Sequence, residues 1–150
     1  MARERALIAL AVASVAAVVC GACGRDKPPA PTPAGTPLAS KAFYRVDAGP
    51  ATPCASKTAC EARLVLTALG NYHVNKDYPF KFVGDPAPAL QLDGTGSFAL
   101  EDAKRGTLTV RFRPEAPGAT KLVGTLKLSV CSDDTCEIET PKLELTVPVS

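Results

Sequence analysis

The sequence predicts an all-β fold, an antiparallel β-sandwich of immunoglobulin-like type, preceded by a leader and a proline-rich linker. Three features carry that expectation. Thr107 to Arg113 alternates strictly, with Leu108, Val110 and Phe112 on one face and Thr109, Arg111 and Arg113 on the other, as a strand buried on one side requires. Leu122, Leu126, Leu128 and Val130, and then Leu143, Leu145, Val147 and Val149, continue this apolar striping. Turn signals recur about every 8–12 residues, and a composition without Trp but rich in Thr, Val and Leu favours strands over long helices.

Taken in order, Ala42 to Val46 is the first expected strand, and Glu61 to Leu69 the second, stopped by Gly70-Asn71. Shorter pieces follow at Tyr72 to Val74, in a run to Val83 interrupted by Pro79, at Ala89 to Leu92 and at Phe98 to Leu100. Gly84-Asp85-Pro86 and Asp93-Gly94 read as turns between them, and Pro117-Gly118 as the turn before the Leu122 to Val130 stripe. About seven or eight short strands in one domain, residues 41–150, fit a sandwich.

The N-terminus has a different character. MARER is charged, and Ala6 to Val19 is an apolar run of signal-peptide length, short of the roughly 20 residues that a membrane-spanning helix needs. The segment Cys20-Gly21-Ala22-Cys23-Gly24 resembles the lipobox of bacterial lipoproteins, in which small residues precede a cysteine that is acylated and becomes the new N-terminus. Cys23, with Ala22 and Gly21 before it, fits that role; Cys20 follows Val18 and Val19, and itself stands where a Leu is usual. The resemblance implies a signal peptide over 1–22, a lipid on Cys23 as the contact with the membrane, and a periplasm-facing location in the cell envelope, at the outer membrane in preference to the inner. A retained helical anchor and an ordinary secretory signal are the alternatives. From Arg25 to Pro53 lie seven of the fourteen prolines, so residues 23–40 read as an extended tether of about 3.1 Å per residue.

From Cys23 onward there are 15 basic and 14 acidic residues, a balance with no footprint for nucleic acid. No cofactor motif stands out. Gly94-Thr95-Gly96-Ser97 lacks the context of a nucleotide loop, the acidic residues around Asp133 lack a calcium-ligand series, and a single His73 does not make a zinc site. His73 reads as a surface or hydrogen-bonded strand residue, and no metal is expected.

Cys54, Cys60, Cys131 and Cys136 form an even set in an oxidising compartment. Three connectivities are possible, and the short spacings favour local pairs. Cys54 and Cys60 flank a five-residue loop, Ala55 to Ala59, and suit a structural bridge. Cys131 and Cys136 flank Ser132-Asp133-Asp134-Thr135 and can oppose each other across a hairpin. By parity Cys131 lies with Lys127 and Ser129 opposite the apolar stripe, accessible to a partner. Asp133 and Asp134 would raise a neighbouring thiol pKa, and the sequence shows no histidine, arginine or helix N-terminus placed to lower it.

Gly124 to Cys136 (GTLKLSVCSDDTC), followed by Leu143 to Val149 (LELTVPV), resembles the cysteine hairpin and closing strand of the N-terminal periplasmic domain of the thiol:disulfide interchange protein DsbD and its stand-alone relatives. Leu69-Gly70-Asn71-Tyr72-His73-Val74-Asn75 is similar to a Gly-Tyr/Trp-His-hydrophobic-Asn segment of the same family. The resemblance implies an immunoglobulin-like fold with Cys131 and Cys136 as a redox pair that exchanges electrons with thioredoxin-like partners. The chain departs from the pattern in a hairpin loop one residue shorter, in Glu137-Ile138-Glu139 where a proline pair often stands, and in the lack of an evident shielding loop, for which Phe98 is the nearest candidate. The alternative is a non-catalytic binding or structural lipoprotein whose disulfides only stabilise it.

Overall fold

The computed structural model describes residues 37–150; the leader, Cys20, Cys23 and most of the tether lie outside the described residues. Those residues form an all-β sandwich of antiparallel sheets. The strands are β1 (Ala39–Lys41), β2 (Tyr44–Ala48), β3 (Cys60–Ala68), β4 (His73–Val74), β5 (Lys81–Gly84), β6 (Leu90–Leu100), β7 (Arg105–Pro114), β8 (Gly118–Cys131), β9 (Cys136–Glu139) and β10 (Lys142–Val149). One sheet has the order β1-β2-β3-β7-β6; the other is built around β8.

The alternating stripes become the facing surfaces of the two sheets. In the first, Ala62 pairs with Val110 and Leu64 with Leu108, all buried. In the second, Leu122, Leu126, Leu128 and Val130 of β8 bury their side chains in the same core, joined by Phe82 and Leu143. Burial of this kind contributes about 25 cal/mol per Å² of apolar surface, and it fixes register, since a one-residue slip would turn each stripe to water.

The long strand β8 serves several neighbours. Along one edge it pairs with β10 from Gly118 to Thr125 and with β9 from Leu128 to Cys131. The register is the same in both, so β9 and β10 are one strand interrupted at Thr140-Pro141, where Leu126 N–H still donates to the Pro141 carbonyl at 3.0 Å. Along the other edge it pairs first with β5 and then, at Val130 and Cys131, with β4.

Two expectations change. Ala89 to Leu92 and Phe98 to Leu100 are not separate strands: both pair with β7, and Asp93-Gly94 opens a bulge inside β6 instead of a turn. Gly94 (φ 76°) and Gly96 (φ 89°) adopt the positive φ that glycine tolerates, which absorbs the extra residues without ending the strand. Phe98, considered as a shield for the cysteine hairpin, instead closes the core edge. Its ring stacks on Phe80 with centroids 3.9 Å apart and covers Gly106, where a Cβ would lie 2.3 Å from the ring.

Candidate functional site

Both disulfides follow the local connectivity, and they sit at opposite ends of the sandwich. Cys54 and Cys60, bonded to each other, lie where β3 begins, beside the C-terminal Ser150. Cys131 and Cys136, likewise bonded, lie where β8 ends and β9 begins, with Cα atoms 3.9 Å apart.

The hairpin that presents the second bridge has a local cause. Ser132 N–H donates to the Thr135 carbonyl at 2.8 Å, which makes the preceding opposed pair, Cys131 and Cys136, a non-hydrogen-bonded one with side chains close together. The turn residues Asp133 and Asp134 have negative φ, and the Ser132 hydroxyl accepts the N–H groups of Asp134 at 3.3 Å and Thr135 at 3.2 Å. Serine before two aspartates therefore supplies the acceptor that this turn needs.

The two cysteines differ in access. Cys136 is exposed, whereas Cys131 retains 7 % of its surface and Ser129, two residues before it, none. Parity alone placed Cys131 and Ser129 on an accessible face. At Ser129 the cover is a side chain from β4's flank. Asn75 donates its backbone N–H to the Ser129 carbonyl at 3.1 Å and its Nδ2 to the Ser129 hydroxyl at 3.3 Å. Ser129 is the one fully buried polar residue among the described residues, and Asn75 satisfies it.

The Leu69 to Asn75 segment is held alongside the bridge from three directions. Val74 N–H donates to the Ala103 carbonyl at 2.8 Å, Lys104 Nζ donates to the carbonyls of Gly70 and Tyr72, and the Tyr72 ring packs on Phe43 with centroids 5.3 Å apart. On the far side Lys41 of β1 makes a 2.6 Å ion pair with Glu139 of β9, and that contact raises the Lys41 pKa. The end of the sandwich beneath the bridge is thus closed, while Cys136 faces out.

Sequence reasoning missed one neighbour. His73 pairs directly with Cys131 across β4 and β8, so its side chain projects from the same face. His73, Cys131 and Cys136 make one row across three strands, and Asn75, Ser129 and Ile138 make the next. The two segments quoted for the family resemblance, remote in sequence, are adjacent in the sheet. Only the pairing of β4 with β8 reveals this, and two residues of β4 carry too little pattern to predict it. Among the described residues, no group of three or more His, Cys, Asp or Glu side chains is placed to hold a metal.

Comparison with known proteins does not assign the bridge. No protein-family model, curated protein or solved structure matches this chain. Its chemistry is therefore argued from its own geometry. Exchange proceeds by in-line attack of a thiolate on one sulfur, with the other sulfur leaving. In a bridge between an exposed and a sheltered cysteine, such an attack would fall on Cys136, and Cys131 would leave. The Cys54–Cys60 bridge offers no such opening, with both cysteines buried in the core.

Proposed function

We propose that this chain is a membrane-anchored lipoprotein of the bacterial envelope, held by lipid on Cys23, whose immunoglobulin-like sandwich exchanges electrons with thioredoxin-fold partners through Cys131 and Cys136. The observation that carries the reading is the asymmetric exposure of the bridge on a hairpin that the fold holds rigidly from behind. In the oxidised protein, a partner's thiolate attacks Cys136 Sγ, the bond to Cys131 Sγ breaks, and Cys131 leaves as a thiolate. A second thiol of the partner then attacks the mixed disulfide. The partner's dithiol ends as a disulfide, and Cys131 and Cys136 end as thiols, having gained two electrons. The reverse sequence oxidises this protein again.

The deciding experiment is equilibration of the full chain, purified in detergent, with glutathione redox buffers, each cysteine's state being read by alkylation and mass spectrometry. A reduction potential well above about −300 mV for the 131–136 bridge supports exchange; a value well below it makes the bridge structural and the protein a non-catalytic binding lipoprotein. A Cys131→Ser variant, which leaves the exposed Cys136 thiol, should trap a mixed disulfide with a thioredoxin-fold protein. For the anchor, radiolabelled palmitate should be incorporated into the wild type and lost in Cys23→Ala; label that survives there but disappears in Cys20→Ala would move the site.

A further inference from the structure

We infer that His73 is a catalytic residue for exchange at this bridge: its imidazolium stabilises the thiolate that Cys131 becomes when Cys136 is attacked. This rests on the exchange reading above and adds a group to it. The placement comes from the sheet. His73 and Cys131 are directly opposed, and because Asn75 N–H donates to the Ser129 carbonyl two residues along, they too form a hydrogen-bonded pair, with Cα atoms about 5.5 Å apart and side chains on one face. An imidazole on so short a lever reaches the Cys131 sulfur by rotation about its side-chain bonds. His73 is exposed, so it exchanges protons with solvent, while Cys131 is sheltered, so a charge left on its sulfur is poorly solvated unless a cation comes to it.

The surroundings leave that task to His73. On the same face, the nearest charged side chains of β8 and β5 are Lys127 and Lys81, themselves a cross-strand pair and two rows from the bridge, on the order of 13 Å away. β9 contributes uncharged Ile138 to this face, and the β4 flank contributes Asn75. Glu137 and Glu139 project from the opposite face toward Lys41, and Lys104 is engaged with the Gly70 and Tyr72 carbonyls. Asp133 and Asp134 at the turn carry negative charge, which opposes a thiolate. His73 is the side chain in the bridge's own row that can carry a positive charge.

The step balances without an added reagent. The partner's thiolate forms a bond to Cys136 Sγ, the electron pair of the broken S–S bond stays on Cys131 Sγ, and the proton on His73 moves toward that sulfur. On reoxidation the proton returns to the imidazole. A lower leaving-group pKa speeds departure, so protonated His73 accelerates opening of the bridge.

The test is the rate at which dithiothreitol opens the bridge in the full chain between pH 5.5 and 8.5, divided at each pH by the reagent's thiolate fraction. The corrected wild-type rate should fall about fivefold to tenfold between the acid and the alkaline end of that range. His73→Gln should give a flat profile at the wild-type alkaline level, and His73→Lys, which keeps its charge, a flat profile at the acid level. Thiolate absorbance in a Cys136→Ser background should show Cys131 titrating about one pH unit lower in His73→Lys than in His73→Gln. Thermal melting identifies any variant that fails to fold; His73→Lys then serves as the second reading of the same charge. Superimposable rate profiles, or a Cys131 thiolate that titrates at the same pH in His73→Lys and His73→Gln, overturn the assignment. A bridge that no reagent opens in the folded protein defeats the exchange reading itself, and does so in the wild type before any variant is compared.

Discussion

The two disulfides close rings of similar size, with sequence separations of 6 and 5, yet the fold treats them differently. In the loop-entropy account each stabilises by roughly 2 kcal/mol, so ring size does not distinguish them. Their surroundings do. Cys60 opens β3 opposite Phe112, and both it and Cys54 belong to the hydrophobic core. The Cys54 carbonyl accepts the Ser150 N–H at 2.9 Å and the Ser150 hydroxyl at 3.2 Å, so that bridge also secures the end of the chain. Cys131 and Cys136 lie outside the core cluster, on a hairpin tip with one sulfur toward solvent. One bridge is part of the packing, and the other stands where a partner could reach it.

The largest expected effect follows from embedding. Replacing both Cys54 and Cys60 with Ala should cost about 3–4 kcal/mol in denaturant unfolding, because a poorly filled space in the core adds to the lost loop constraint. Replacing both Cys131 and Cys136 with Ala should cost about 2 kcal/mol or less and leave the fold intact; equal losses would erase the distinction. Under dithiothreitol at neutral pH, the 131–136 bridge should open on the order of a hundredfold faster than the 54–60 bridge, which becomes reducible only as the protein unfolds. Alkylation at timed intervals, mapped by mass spectrometry, measures both rates in one sample.

Much of this arrangement is legible in the sequence, and the limits have physical causes. Period-two stripes announced β7, β8 and β10, because each buries one face only. Short spacing announced the local bridges. The β6 bulge was not legible, since Asp93-Gly94 carries the same local signal whether it turns the chain or inserts residues into a strand; the partner, β7, decides. The burial of Ser129 is not legible for a related reason. Parity reports which face a residue is on, not whether something lies over that face, and Asn75 comes from a segment with no periodicity of its own. His73 beside Cys131 is again a fact of strand pairing, invisible to any reading of neighbours along the chain.

Asn75 tests whether the sheltered side of the 131–136 bridge is built or incidental. Asn75→Ala removes the donor to the buried Ser129 hydroxyl, an acceptor that then lacks a protein partner, and should cost about 1–2 kcal/mol. Ser129→Ala in the same background should recover part of that loss, since no unpaired hydroxyl remains; a double variant no better than the single one would place the cost in the other lost contact, the Asp77 N–H donating to Asn75 Oδ1. Reduction of the 131–136 bridge should accelerate in Asn75→Ala, while the 54–60 bridge, at the other end, should not respond.

Tyr44 gives the subtlest expected difference between the two ends, through pH. It is buried beside the β1 turn, and burial first, then the charge of Glu139, raises its phenol pKa, with Lys41 opposing. A raised pKa means that the folded protein holds the phenol proton more tightly than the unfolded chain does. Stability is therefore unaffected below the ordinary tyrosine value near 10, then falls as the unfolded chain ionises and continues to fall until the folded phenol also ionises. Tyr44→Phe should abolish that part of the alkaline loss, measured by denaturant unfolding at pH 8 and again above pH 10. Because Tyr44 and Glu139 sit at the Cys131 end, hydrogen exchange in alkali should quicken at Val130 and Glu137 before it does at Phe112 and Cys60. Simultaneous loosening of both ends would mean that the sandwich opens as one unit, and that access to the 131–136 bridge comes from exposed Cys136 alone.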